Sequence, residues 1–119
     1  MKPVFQSKFG DIGNCFNACI ASLFEIPLED LPELNLKDNE WAAPVRKYLE
    51  DNYNLSFFFS DSAFRQKGYY ILTGTTTRNP KLNHAVIYKD DKLVHDPMGK
   101  DSGEILKFVD VTVFYKIFK

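Results

Sequence analysis

The chain has 119 residues, of which 45% are hydrophobic and 15% aromatic, and its 15 basic residues nearly balance its 16 acidic ones. This length and apolar content predict one domain with its own core, spanning residues 1–119. The balanced charge argues against a nucleic-acid-binding protein. The N-terminal stretch lacks the apolar region of a signal peptide, and no apolar run reaches the roughly 18 residues that a membrane helix needs. We therefore expect a cytoplasmic protein with no membrane or nucleic-acid partner.

Two helices are predicted in the first half of the chain. The first begins near Asn14, a residue type favoured at helix N-caps, and runs to about Phe24, with Pro27 closing it. Apolar residues recur along it at helical spacing, and no charged residue occurs before Glu25. This pattern predicts a helix that is buried on most sides. A second, amphipathic helix is predicted over residues 39–52.

Strand patterns dominate the second half of the chain. Runs rich in aromatic and β-branched residues predict strands at residues 55–59, 69–73, 84–88, 93–95 and 108–118. A polar loop is predicted at residues 75–81. Helices followed by an antiparallel sheet define an α+β fold, with N-terminal helices packed on a C-terminal sheet.

Cys15 is the first candidate for chemistry, because it lies at the start of the predicted buried helix. The free N–H groups and the dipole at a helix N-terminus stabilise a thiolate, and Gly13 allows a sharp turn into the helix. A cysteine is also commonly a small hydrophobic core residue, and Cys19, one turn further along, fits that role. In a reducing compartment both are expected to be thiols.

His84 opens an apolar strand, and Asp96 follows the next strand along the chain. We expect His84 to take the proton of Cys15, and Asp96 to accept a hydrogen bond from Nδ1–H of His84 and so orient the ring. The competing interpretation is a core histidine and a turn aspartate before proline.

The hairpin between these two residues tests the catalytic interpretation. A plain two-residue turn at Asp90-Asp91 would put Asp96 on the opposite face from His84, whereas a three-residue loop or a bulge would put both on one face. The catalytic interpretation therefore predicts an odd or bulged hairpin register.

Acyl transfer also needs hydrogen-bond donors for an oxyanion. The backbone N–H of Cys15 is one candidate. Gln6 is the expected side-chain donor, with Asn14 or Asn17 as alternatives.

Together these residues resemble the papain-like cysteine peptidase superfamily. The resemblance rests on Gln6, on GNCFNACIASL at residues 13–23, on NHAVIY at residues 83–88 and on His95-Asp96-Pro97, in the superfamily's order of Gln, Cys, His and Asp. The chain is similar in particular to the peptidase domain of bacteriocin-processing ABC transporters and to small phage and bacterial proteins with the same paired motifs.

The resemblance implies a papain-like fold in which a helix carrying Cys15 packs on a sheet carrying His84 and Asp96. It implies a thiol hydrolase or acyltransferase that acts on a peptide, amide or other acyl group, with no cofactor. The chain departs from the pattern in two places. Gln6 precedes Cys15 by nine positions, more than is usual in the superfamily, and Phe16 stands where a small residue often follows the nucleophile.

Two other functions remain open. A zinc site could use the residue types of Cys15, Cys19, His84 and His95, although their spacing is uncommon for zinc. A catalytically inactive protein on the same fold could instead bind a host protein through exposed strand aromatics, for which the candidates are Phe57, Phe58, Tyr69 and Tyr70. An open groove leading to Cys15 would favour the enzyme, and an occluded Cys15 beside a large apolar face would favour the binding protein.

Overall fold

The computed structural model describes residues 1–9, 13–61, 67–76, 83–99 and 105–117, with the backbone alone for residue 76 and residues 105–109. Within these ranges, two α-helices precede a five-stranded antiparallel sheet, which confirms the predicted α+β class. Helix α1 spans Cys15–Phe24 and helix α2 spans Ala43–Tyr53, with a 3₁₀ turn at Leu28–Asp30 between them. Neither described helix has the length and apolar character needed to cross a membrane.

The strands are β1 (Leu55–Asp61), β2 (Tyr69–Thr76), β3 (Asn83–Lys89), β4 (Lys92–His95) and β5 (Ile105–Lys116). Their order across the sheet is β1-β5-β2-β3-β4, so β4 is an edge strand that pairs only with β3. Each predicted strand is present, but β2 continues past Gly74 and β5 begins before Phe108. Most of the predicted polar loop and the end of the predicted last strand lie outside the described residues.

Helix α1 is buried against β3, as its uncharged sequence predicts. Its buried side chains include Phe16 and Ile20, which join Leu49 of α2 and Ile87 of β3 in one apolar cluster. The Sγ–H of Cys19 donates to the carbonyl oxygen of Ala85 at 3.5 Å, so the helix is also tied to the strand by a polar contact. This packing fixes the start of α1 relative to the start of β3.

Helix α2 begins later than the amphipathic pattern predicts. Its first turn contains Pro44, whose missing N–H and fixed φ suit a helix start. The four residues before Ala43 form turns, and among them Trp41 packs against Phe16 and Phe59, with ring centroids 5.1 and 5.3 Å apart. Aromatic packing therefore competes with the helical periodicity in this stretch.

The end of α1 offers a test of backbone strain. Glu25 caps the helix in the left-handed conformation, at φ 55°, where a side chain costs about 1–2 kcal/mol and glycine does not. Glu25→Gly is expected to raise the free energy of unfolding by about 1 kcal/mol, measured by urea denaturation.

Glu25→Ala is the matched control, because it also removes the ion pair with Lys2 but keeps a Cβ. That pair is 3.6 Å long and largely exposed, so its loss has little effect. An equal gain in both variants would contradict the strain explanation.

Candidate active site

Cys15 is the first residue of α1, and its side chain is partly exposed. Asn14 occupies the N-cap position as predicted, but its side chain makes no capping hydrogen bond. Instead, Oδ1 of Asn14 accepts from the backbone N–H groups of Ser7 and Lys8, each at 3.0 Å, and Nδ2 donates to Oγ of Ser7. The expected capping role is therefore wrong, and Asn14 holds the N-terminal segment against the start of α1.

This arrangement leaves the first turn of α1 without a side-chain cap. The first N–H groups of a helix have no partner within the helix, and α1 carries no acidic residue in its first turn. The N–H groups beside Cys15 are thus placed to interact with an anionic group.

His84 and Asp96 form a short buried contact. Nε2 of His84 and Oδ1 of Asp96 are 2.6 Å apart, and the residues are 6% and 8% exposed. Oδ1 of Asp96 also accepts from the backbone N–H of Met98 at 2.9 Å, which fixes the carboxylate. The sequence-based expectation that Asp96 would accept from Nδ1 is wrong, because Nε2 makes this bond.

The side chain of Cys15 lies close enough to the same imidazole to raise the pKa of His84. With Nε2 facing Asp96, Nδ1 is the ring nitrogen left for the sulfur. Three side chains separated by up to 81 positions in the sequence thus meet where α1 begins and β3 begins.

A bulge in the β3–β4 hairpin brings Asp96 to the same side as His84. The turn has two residues, Asp90 and Asp91, both at positive φ as a tight hairpin turn requires. Tyr88 pairs with Leu93, but Ile87 pairs with His95, so Val94 is an extra residue on β4. An extra residue reverses the alternation of side chains beyond it. The predicted bulged register is present, with a two-residue turn.

The electrostatics of the contact favour a charged imidazole. Burial opposes the charge and lowers the pKa of His84, but the hydrogen bonds to Asp96 and Cys15 and the charges of both partners outweigh it and raise the pKa to about 9. Because this value lies above the ordinary 6.5, the charged ring adds stability fully below about pH 6.5 and loses that contribution as the pH rises through about 9.

Titration of the His84 ring by NMR checks this charge state. The ring C–H signals are expected to move with a midpoint at about pH 9 in the native chain. Asp96→Asn is expected to lower the midpoint, because the variant removes a negative partner of the imidazolium. His84→Gln assigns the signals, since the only other histidine is His95. A midpoint near 6.5 in the native chain would contradict the assigned interactions.

Cys19 has the structural role that its position in the helix predicts. It is fully buried, and burial raises the pKa of its thiol well above the ordinary value, with the charges of Cys15 and Asp96 adding to the effect. Its thiol therefore stays protonated, and the two cysteines of the chain have different environments.

Gln6 lies beside the Asp96 end of the site, and its backbone N–H donates to the carbonyl of Pro97 at 3.0 Å. Nε2 of Gln6 donates to the carbonyl of Lys8 at 3.0 Å, which uses one of its two N–H groups. Nδ2 of Asn17 donates to the carbonyl of Pro32 at 2.9 Å. The role of Gln6 as an oxyanion donor thus stays a prediction, and so does that of Asn17, which uses one of its two N–H groups in the bond to Pro32.

The four suggested zinc ligands do not converge. Nε2 of His95 lies 2.7 Å from the carbonyl oxygen of Val4, and its ring packs edge-on against Phe5 at 5.2 Å. Among the described residues, no group of three or more His, Cys, Asp or Glu side chains is arranged to hold a metal ion.

The candidate docking aromatics divide between core and surface. Phe57 and Tyr70 are buried, at 1% and 0% exposure, whereas their neighbours Phe58 and Tyr69 are 47% and 43% exposed. The alternation follows the strand period of two, so these residues do not form one exposed apolar face.

The N-terminal segment belongs to the site, which the sequence pattern does not indicate. Backbone groups of Val4 and Gln6 bond His95 and Pro97, on either side of Asp96, and Lys2 and Val4 bond Ser22 of α1. The segment therefore joins α1 to the end of β4. The N-terminal segment uses its backbone atoms in these bonds, and backbone atoms leave no signal in residue type.

In comparisons with known proteins, no family model, curated protein or solved structure matches the chain.

Proposed function

We propose that the chain is a small papain-like cysteine hydrolase or acyltransferase of the peptidase, amidase or deamidase type. It uses Cys15 as nucleophile, His84 as acid and base, and Asp96 as the residue that orients His84. Its substrate is a peptide, amide or other acyl compound. A cytoplasmic location suits its two free thiols.

The meeting of Cys15, His84 and Asp96 is the observation that carries this proposal. A histidine that is hydrogen-bonded to a carboxylate and lies beside a thiol is the arrangement of an activated nucleophile. Cys15 is partly exposed at a helix start without a side-chain cap, whereas a structural cysteine is commonly buried and inert.

The reaction follows from the charges of the three groups. His84 takes the proton of the Cys15 thiol, and the sulfur attacks the carbonyl carbon to form a C–S bond. The oxyanion is held by N–H groups at the start of α1, with the spare N–H of Gln6 as a second candidate donor. Nδ1–H of His84 then protonates the leaving amine as the C–N bond breaks and a thioester remains.

The second half regenerates the thiol. Water, or an acceptor amine in a transferase, attacks the thioester while His84 accepts its proton. The C–S bond breaks, the acyl product leaves, and the sulfur recovers the proton from His84. No redox change occurs and no cofactor takes part in these steps.

Acylation by p-nitrophenyl acetate tests the proposal without knowledge of the natural substrate. We expect a burst of nitrophenolate equal to the enzyme concentration, with one acetyl group on Cys15 by peptide mass spectrometry. Cys15→Ala should lose the burst and Cys19→Ala should keep it. Acetylation spread over lysines, or equal on both cysteines, would overturn the proposal.

A further inference from the structure

A groove of about 700 Å³ lies beside the start of α1. Its aliphatic lining comes from the 3₁₀ turn and the segment after it, and consists of Leu28, Leu31, Leu34 and Leu36. Its lining also includes Gly13 and Asn14, the two residues immediately before Cys15, but not Cys15, His84 or Asp96. The groove therefore adjoins the candidate active site at the residues that lead into α1.

One buried side-chain oxygen in the groove lining accepts no hydrogen bond from the described residues. Asn17 is 4% exposed, and its Nδ2 is committed to Pro32, while its Oδ1 accepts no hydrogen bond. A buried acceptor without a donor costs about 1–3 kcal/mol. Oδ1 is also closed to solvent in this structure, so an N–H group of a ligand in the groove would supply the missing donor after a small shift of the Asn17 side chain.

The charges around the groove favour a neutral occupant. Lys8 and Glu33 both line the groove and form an ion pair at 2.8 Å. The two other charged lining residues, Glu29 and Lys37, have opposite signs. The described lining therefore has no net charge that would attract an anion or a cation.

We propose that this groove is the substrate subsite, and that it binds an aliphatic side chain or chain segment bearing an adjacent amide N–H. The aliphatic part packs on the leucines, and the N–H donates to Oδ1 of Asn17. This inference rests on the proposed function and specifies its substrate: neutral, aliphatic acyl compounds or peptides in preference to charged ones.

Alkylation of Cys15 by matched reagents tests the subsite. Iodoacetamide has no tail, whereas N-isopentyl iodoacetamide adds a leucine-like tail beside an amide N–H. Burial of such a tail is expected to raise the alkylation rate by about tenfold to a hundredfold over iodoacetamide. A tail that ends in a carboxylate or an ammonium group is expected to give no such gain. A ratio near one for the isopentyl reagent, or equal gains for all three tails, would overturn the subsite.

Two exposed leucines provide a matched pair of variants. Leu36 lines the groove and is 41% exposed, whereas Leu93 lies on β4 outside the described lining and is 40% exposed. Leu36→Glu is expected to lower the isopentyl preference, which is the ratio of the isopentyl rate to the iodoacetamide rate of the same variant, by several-fold, and Leu93→Glu should leave this ratio unchanged. Equal losses in both variants would contradict the location.

A separate reagent tests the proposed hydrogen bond from the ligand N–H to Oδ1 of Asn17. N-methyl-N-isopentyl iodoacetamide keeps the tail but lacks the donor, so it is expected to react several-fold more slowly than its parent after correction for their reactivity toward free cysteine. An equal rate would overturn the role of Asn17. Slow alkylation of Cys15 by iodoacetamide itself would instead contradict the proposed function, so the two failures are distinct.

Discussion

His84→Ala is expected to lower the rate of Cys15 acylation by p-nitrophenyl acetate by about 10²- to 10⁴-fold, the usual contribution of a positioned acid and base. The variant removes the group that accepts the thiol proton, together with the imidazole contact of the buried Asp96. The measurement is the burst rate at neutral pH.

His95→Gln is the control for this variant. His95 is the other histidine of the chain and is also buried, but it contacts the backbone of Val4 and the ring of Phe5. A glutamine can still donate to that carbonyl, so the burst should be retained. Equal losses in the two histidine variants would indicate a general structural effect and would contradict the role of His84 as base.

Asp96→Ala is expected to lower the same burst rate by about a hundredfold, because a reacting group displaced by about 1 Å can lose that much. The variant removes the only described acceptor of Nε2–H of His84 and the acceptor of the Met98 N–H. The imidazole is then free to rotate away from Cys15.

Asp96→Asn separates position from charge. An amide oxygen in place of Oδ1 can accept both hydrogen bonds, so this variant should keep the ring in place and lose less than about tenfold, the equivalent of about 1.4 kcal/mol. Circular dichroism at the assay temperature checks that both variants are folded. If the asparagine variant were as impaired as the alanine variant, orientation of the ring would not be the main role of Asp96.

The parts of this fold that follow from local pattern could be predicted from the sequence. The uncharged, periodic stretch before Glu25 predicts α1 nearly to the residue, and the alternation of apolar residues predicts the strands. Residue types at the ends of these elements also predict a site of Cys15, His84 and Asp96, and the structure joins His84 to Asp96 by a hydrogen bond. In each case the signal lies in neighbouring residues.

The parts that depend on distant contacts could not be predicted. Val94 looks like any β-branched strand residue, yet it is the bulge that brings Asp96 to His84. Asn14 is a residue type typical of helix N-caps, but its side chain accepts hydrogen bonds from two backbone N–H groups of the N-terminal segment instead. The choice of Nε2 over Nδ1 likewise depends on where β4 ends relative to β3.

The leucine-lined groove beside α1 also could not be predicted from the sequence. The leucines between residues 28 and 36 occur in a stretch without clear periodicity, so the sequence gives no reason to group them. Their shared position beside the start of α1 comes from the 3₁₀ turn and from the bond between Asn17 and Pro32.

The central claim is that His84 activates Cys15 as a nucleophile while Cys19 stays an ordinary buried thiol. The most direct test is the rate of iodoacetamide alkylation of each cysteine from about pH 5 to pH 10, followed by peptide mass spectrometry. We predict that Cys15 is alkylated much faster than Cys19 across this range, that Cys19 is protected throughout, and that His84→Ala slows the alkylation of Cys15. Slow alkylation of both residues that rises only toward the free-thiol pKa of about 8.5 would contradict the claim.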